Sequence, residues 1–391
     1  MDRLTYRHPI LPASQRVSVE VKPVETRAER RTFVRLPWRI YPGRYPAWVP
    51  PLLVEERKRI DPRKNPFFDH GAVQLFLAYK DGEVAGRIAA IENTLHNEFH
   101  DDKVGFFGFF ESVDDQEVAK ALLDRAAEWV GGRGLDTLRG PTSFSTNEEC
   151  GLQIDNFESS PYVMMAYNPP YYVDLLEGCG LTKVKDLLAY EIRAEQFDHP
   201  RFGKLQQLIE RYGRDVQIRS IRMDRFEEEV ALVRELYNTA WERNWGFVPM
   251  TDAEVDHMAK QLKPVVDPDL ALIGEVDGEP VGFLLALPDV NQAIRHANGR
   301  LFPFGLFKLL WHMRRVSGVR VITLGIVEAH RGGPLAPMFY LEIHKRGTSK
   351  GHRVGESSWV LEDNQALRMG VEKMGYEPYK TYRLYEKPIS G

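Results

Sequence analysis

Apolar and polar positions repeat one design twice along the chain. In each repeat a helical period of apolar residues, over 25–36 and again over 225–245, precedes two strand patterns joined at Asp-Gly. The strands read as 75–79 with 84–91 in the first repeat, and as 270–275 with 280–287 in the second. Asp-Gly between two such runs predicts a tight hairpin, because both residues accept the positive φ that the turn demands. A third apolar strand comes next (104–111; 319–327), then a helix (115–131; 337–349), then another strand beyond Gly134 or Gly351. A helix ending at Gly180 or Gly375 and a last strand close each repeat. This order predicts an α+β fold, with a mixed, mainly antiparallel sheet flanked by helices.

Local matches in one order favour an old duplication over recurrent turn chemistry. Trp48-Val49-Pro50 answers Phe247-Val248-Pro249, and Asp81-Gly82-Glu83-Val84-Ala85-Gly86 answers Asp277-Gly278-Glu279-Pro280-Val281-Gly282. Near the ends, Glu177-Gly178-Cys179-Gly180-Leu181 answers Glu372-Lys373-Met374-Gly375-Tyr376. On this basis the chain divides into a first domain over 1–193, a linker over 194–215, helical around 205–212, and a second domain over 216–391. Each domain has a long addition of its own, between Gly140 and Asn168 in the first and between Pro288 and Gly318 in the second. Additions of that size to a compact repeat are usually functional loops or lids.

Composition narrows the function. The 52 Lys and Arg against 56 Asp and Glu leave a net charge of −4, so no global basic field recruits nucleic acid, and DNA is not an expected partner. Only Cys150 and Cys179 are present, which excludes a disulfide framework and a Cys-based zinc site. His296 and His312 show no metal-ligand spacing, so no metal is expected. No run of about 18 apolar residues spans a bilayer. The polar start, with Pro9, Pro12 and Pro23, lacks a signal core. A cytoplasmic location is the resulting expectation.

The densest chemical signal lies in the second repeat only. An apolar strand ends at Gly325-Ile326-Val327-Glu328 and runs into Arg331-Gly332-Gly333-Pro334-Leu335-Ala336, which opens a helix. Glycines let backbone N–H groups converge, and a first helical turn leaves its N–H groups unbonded. With the helix dipole, that is a cradle for a pyrophosphate. The equivalent turn of the first repeat, Glu111-Ser112-Val113-Asp114-Asp115-Gln116, has three acids and neither glycine nor arginine. It should repel a pyrophosphate, with Asp114 or Asp115 serving as a helix N-cap.

The arrangement resembles the GNAT superfamily of acyl-CoA-dependent N-acyltransferases, whose turn reads Arg/Gln-x-x-Gly-x-Gly/Ala. Arg331 and Ala336 keep the outer positions, while Pro334 replaces the central glycine. Asn364, followed by Gly375-Tyr376, resembles the family's Asn-x-x-Ala…Gly-Phe/Tyr segment, with Leu367 in place of the alanine. The element order matches that fold over each half, so the resemblance implies two tandem GNAT-like folds, the first degenerate. It implies acetyl-CoA or another acyl-CoA held by Gly325, Ile326, Val327, Arg331, Gly332, Gly333, Leu335, Ala336 and Asn364. It further implies that N–H groups at Gly325 to Val327 bind the thioester carbonyl, and that a tyrosine protonates the thiolate where Val371 stands. Pro334 supplies no N–H, so weaker CoA binding is expected than an intact motif gives.

Transfer to an amine needs a proton acceptor. Glu362, at the end of a strand presenting Glu356, Ser358 and Val360 on one face and Ser357, Trp359 and Leu361 on the other, is one candidate; Glu328 is the second. Asp363 reads as the cap of the next helix. The loop from Gly140 to Tyr172 offers Glu148 and Glu149 to attract a cationic amine, and Tyr171 with Trp359 as aromatic walls, against the alternative of a structural loop. Cys150 and Cys179 read as ordinary thiols. The apolar segment 300–313 reads as a lid, an acyl tunnel, a membrane-surface helix or a core helix. Packing between the halves is the default, and the small flanking charge makes surface binding the least favoured. The function expected is acyl transfer, of acetyl first, to an amine on a small molecule or aminoacyl group. Fem-type transferases and N-myristoyltransferases, which resemble the chain in pairing two such folds, suggest an aminoacyl-tRNA or a long-chain donor. A non-catalytic CoA-binding protein is the reading from a different class.

Overall fold

Both Asp-Gly junctions form type I′ turns, with Asp81 and Gly82 at φ 54° and 78° and Asp277 and Gly278 at 53° and 84°. The computed structural model describes residues 19–198, 202, 203, 206, 207, 209, 215–242 and 244–389. The linker helix expected around 205–212 lies largely outside them. The first half supplies β1 (Glu20–Pro23), β2 (Gly71–Lys80), β3 (Glu83–Asn93), β4 (Val104–Ser112), β5 (Thr137–Gly140), β6 (Leu152–Gln153) and β7 (Thr182–Arg193). The second supplies β8 (Val216–Ser220), β9 (Ala271–Val276), β10 (Glu279–Pro288), β11 (Gly318–Ile326), β12 (Val354–Leu361) and β13 (Glu377–Pro388).

All of them join one sheet, in the order β1-β2-β3-β4-β5-β13-β7-β12-β11-β10-β9-β8, with β6 pairing beside β13. The pairings are antiparallel except β4 with β5 and β11 with β12, the two places where a helix crosses over between neighbours. The sheet order also shows an exchange. The last strand of the first half, β7, pairs with β12 of the second, and the last strand of the second, β13, pairs with β5 of the first. β7 and β13 then pair with each other along Glu377–Glu386. The sequence boundary at 193 therefore separates chain segments, while each sheet half is finished by the other's strand.

Helices cover the sheet where their apolar stripes require it. Leu122, Leu123, Ala126 and Val130 of the helix Gln116–Gly131 are sealed against the first half. Phe339, Tyr340 and Ile343 of the helix Leu335–Ser349 do the same for the second. The two long additions strap the halves together. In the first, Asn147 Nδ2 donates to Val248 O (3.1 Å) and the Val163 N–H donates to Asp289 (2.9 Å). In the second, Asn298 accepts from Trp38 Nε1 (3.0 Å) and Arg295 donates to Pro46 O (3.0 Å). Only its base packs, however. The helix Gly305–Met313 buries Gly305 and half-buries Met313, while Phe302, Phe304, Phe307, Leu310 and Trp311 face solvent, so the default expectation of packing between the halves is overturned.

Candidate acyl-transfer site

β11 and β12 pair only from Gly318–Val321 to Val354–Ser357, then part. The gap opens into a cavity of about 1120 Å³ that continues beneath the helices Phe226–Trp241 and Asp252–Leu262. The turn Arg331-Gly332-Gly333 and residues Thr146 to Glu148 of the first half's loop both reach its wall. Between them the lining is mainly apolar, with Val233, Val255, Met258, Ala259, Leu262 and Leu285 among its residues. The 3–4 spacing of Val255, Met258, Ala259 and Leu262 is an amphipathic stripe that normally meets a core; here it meets space.

The turn has the properties of an anion cradle. Gly332 adopts φ 77°, and a Cβ there would meet nothing within 4 Å, so a ligand can approach the bare backbone. The helix Leu335–Ser349 begins at Pro334 with no side-chain cap. Pro334 removes one donor as expected, and Pro337, which the sequence reading passes over, removes another from the first turn. Gly332, Gly333, Leu335 and Ala336 retain theirs. Arg331 donates to Ile326 O (3.0 Å) and Ala240 O (2.5 Å), pinning helix to strand while keeping its charge at the turn.

Of the three N–H groups proposed for the thioester carbonyl, that of Val327 is already donated to Val281 O (3.0 Å). Antiparallel alternation then turns the N–H of Gly325 towards β10 and that of Ile326 towards the gap. Gly325 is required for packing, since a Cβ there would sit 2.5 Å from Phe283. Asn364 lines the cavity and caps the helix Gln365–Lys373 through the Leu367 N–H (3.1 Å). Asp363, the expected cap, pairs with Lys185 instead (2.7 Å). Val371 is fully buried. Tyr340 contributes a hydroxyl to the cavity wall, bonded to Ser357 Oγ (3.1 Å), and burial holds its pKa up to about 12.

The two carboxylates expected to act as bases lie elsewhere. Glu362 is held by Lys183 (2.6 Å) and the Asp186 N–H (3.0 Å), and Glu328 sits exposed in the short turn Glu328–His330; neither lines the cavity. The strand alternation that placed Glu362 also slips. A register shift between Ser357 and Val360 puts both of those residues on the helix side, with Glu356, Ser358, Trp359 and Leu361 opposite. Glu356 is fully buried 3.4 Å from Arg320, and desolvation raises its pKa to about 7. Trp359 does line the cavity, under the Arg320 guanidinium.

Of the four glutamates expected at the site, Glu148 alone lines the cavity, where Asp363 also reaches the wall. Arg59, from the first half, donates to it (3.1 Å) and to Glu149 (2.9 Å), yet desolvation outweighs the arginine and pushes the Glu148 carboxyl up to about 7. Its side chain keeps 28% of its exposure, so it can still be reached. Glu149 and Tyr171 are outside this cavity; Tyr171 donates to Ser112 O (2.7 Å) and braces the first half's core. Cys150 lines the cavity as a buried thiol with its pKa raised to about 12, an inert wall. Tyr237 (which donates to Asn147, 2.6 Å) and Arg320, which line the cavity, and Arg59, which holds Glu148 from outside it, are residues that no local motif signals, since each is brought in from a distant segment.

No family model matches the chain. It is 38% identical over 366 residues to protein YghO of Escherichia coli, covering 92% of this chain and 93% of that one. It is 37% identical over 384 residues to a bacterial ceramide synthase of Caulobacter vibrioides, covering 96% and 99%. Among solved structures, a tandem GNAT protein from the clavulanic acid biosynthesis pathway superposes with a TM-score of 0.53 at 13% identity, over 96% of this chain and 99% of that one. That likeness confirms the tandem GNAT fold.

Proposed function

We propose that this chain, which belongs to the family of the bacterial ceramide synthase and YghO and has a tandem GNAT fold, moves a long-chain acyl group from acyl-CoA to the amine of a lipid-like amino alcohol. A single observation supports this reading over acetyl transfer: the cavity continues past the strand gap into a space walled by apolar side chains of two helices, far more room than two carbons fill. A ceramide, the product in the relative's name, is an amide that joins two such chains.

In this reading the amides of Gly332, Gly333, Leu335 and Ala336 take the pyrophosphate. The Ile326 N–H meets the thioester oxygen as charge develops on it. Glu148 receives the amine's proton as nitrogen attacks the carbonyl carbon; its pKa near 7 suits a base at neutral pH. The C–N bond forms, the C–S bond breaks, and the leaving thiolate takes a proton from Tyr340, whose high pKa keeps that proton available until then. Trp359 and Met164 wall the acceptor side.

The test is an acyl-CoA length series against a long-chain amino alcohol, read by CoA release and product mass. Turnover should be greatest with long chains, and Ala259→Trp should cut the long-chain kcat/KM by roughly ten-fold or more while sparing short donors. Wild-type turnover of acetyl-CoA as fast as of the long-chain donors, or CoA binding without turnover of any donor, refutes the reading.

A further inference from the structure

The second half's addition presents a surface that the acyl-transfer site does not use. Six of the ten large apolar side chains exposed among the described residues fall between Phe302 and Trp311. Phe302, Phe304 and Phe307 are 81%, 69% and 71% exposed, and Leu310 and Trp311 are 57% and 59%. On the helix Gly305–Met313, Leu306, Phe307, Leu310 and Trp311 share one face by their 3–4 spacing. Monomeric proteins seldom leave so dense an apolar cluster to water.

The charge along its own segment has one sign. From Val290 to Val327 there is no aspartate or glutamate, although the whole chain is net negative. Arg300, Lys308, Arg314 and Arg315 border the apolar face in sequence. Across the seam with the first half, Arg31, Arg57 and Arg300 each lie near enough to Arg35 to repel its charge. The loop that carries the cluster is fixed to the body, since Gly299 O accepts from the Leu53 N–H (3.0 Å) and Asn298 from Trp38. No helix among the described residues is long and apolar enough to cross a membrane.

We propose that this face docks the protein on an anionic phospholipid bilayer, with Phe302, Phe304, Phe307, Leu310 and Trp311 inserted at the headgroup boundary and the arginine rim against lipid phosphates. A short helix lying in the interface plane with aromatic side chains below and basic ones beside them is the arrangement this chemistry favours. A protein partner or a second copy would cover the apolar face but give no reason for an acid-free rim of this length. The proposal stands on this surface alone, and holds or fails independently of the donor's chain length.

The experiment is co-sedimentation of the full chain with vesicles of phosphatidylglycerol and phosphatidylcholine, against phosphatidylcholine alone, with sedimentation velocity on the lipid-free protein. The expected result is a monomer that pellets with the anionic vesicles, less so in high salt. Phe307→Ser/Trp311→Ser and Arg314→Glu/Arg315→Glu should each weaken binding by roughly ten-fold or more, with unchanged thermal midpoints, while Trp311→Phe retains it. Vesicle binding that is absent, or that the two double variants leave unaltered, overturns the proposal. So does a lipid-free dimer that Phe307→Ser/Trp311→Ser dissociates, which assigns the face to a second copy.

Discussion

The two halves share one plan, and at the equivalent place one is filled and the other open. In the first, β4 and β5 part after Phe106 and Arg139, but the chain itself enters the gap. The Thr142 N–H donates to Phe107 O (2.7 Å), a Cβ on Gly108 would collide with the Thr142 carbonyl, and Phe144 is sealed against Phe67 and Phe109. The helix start is filled as well: Asp115 accepts from the Glu117 and Val118 N–H groups (3.0 and 3.2 Å), doing internally what an anion would do from outside. Glu111, at the strand end, is locked by Tyr41 and Tyr172 (2.8 and 2.7 Å). In the second half the same strands part around a cavity, and the same helix start has no cap. The tandem fold thus leaves one copy's gap open and its helix start uncapped, and fills both in the other.

The sharpest way to break that contrast is Glu148→Gln, because Glu148 is the carboxylate that the first half's loop contributes to the second half's cavity. Its kcat should fall by roughly 10²–10³-fold. A base works deprotonated, so wild-type turnover should rise as pH climbs through about 7 and the variant's profile should lose that limb. A variant with full activity and an unchanged profile leaves the first half without a chemical role. Next, Gly332→Glu writes an acid of the first half's kind into the open cradle, where its positive φ also strains any side chain. CoA affinity by calorimetry should drop by about two orders of magnitude, and retained affinity means the diphosphate sits elsewhere.

Smaller effects refine the comparison. Asp115→Ala uncaps the first half's helix and should cost about 1 kcal/mol in denaturant unfolding, yet confer no CoA binding, because the neighbouring gap stays full. A measurable CoA site in that variant undoes the argument from filling. Pro334→Gly should tighten CoA by a few-fold at most, since Pro337 still withholds its donor; an unaltered titration shows that the amide at 334 points away from the ligand. Last, burial raises the Glu356 carboxyl from 4.5 to about 7, so the folded state holds a proton that the unfolded state releases between those values. Stability should decline as pH rises across that window, and Glu356→Gln should flatten the thermal midpoint against pH.

Repetition made the architecture readable. Two Asp-Gly hairpins, two glycine-ended helices and one diverged turn appear in order, and the structure returns the mixed sheet, both hairpins and an uncapped glycine turn at the helix start where the pattern put them. What was not readable depends on long-range geometry. No periodicity tells β7 and β13 to change places, because either strand satisfies either edge equally well by alternation. The register slip at Ser358 and Trp359 defeated the face assignment that nominated Glu362, since one extra residue inverts everything after it. Arg59 and Tyr237 come from segments far from every motif. The 300–313 segment was judged by its apolar content, which makes a core helix and a wetted one look alike, and only exposure separates them.

The crossing of β7 and β13 has a temporal consequence for synthesis. The first half, although complete in sequence by residue 193, lacks the strand that flanks β5 until residues 377–388 leave the ribosome. It must wait, partly assembled, until the second half has been made, so a lesion confined to β13 strikes the first half as directly as its own.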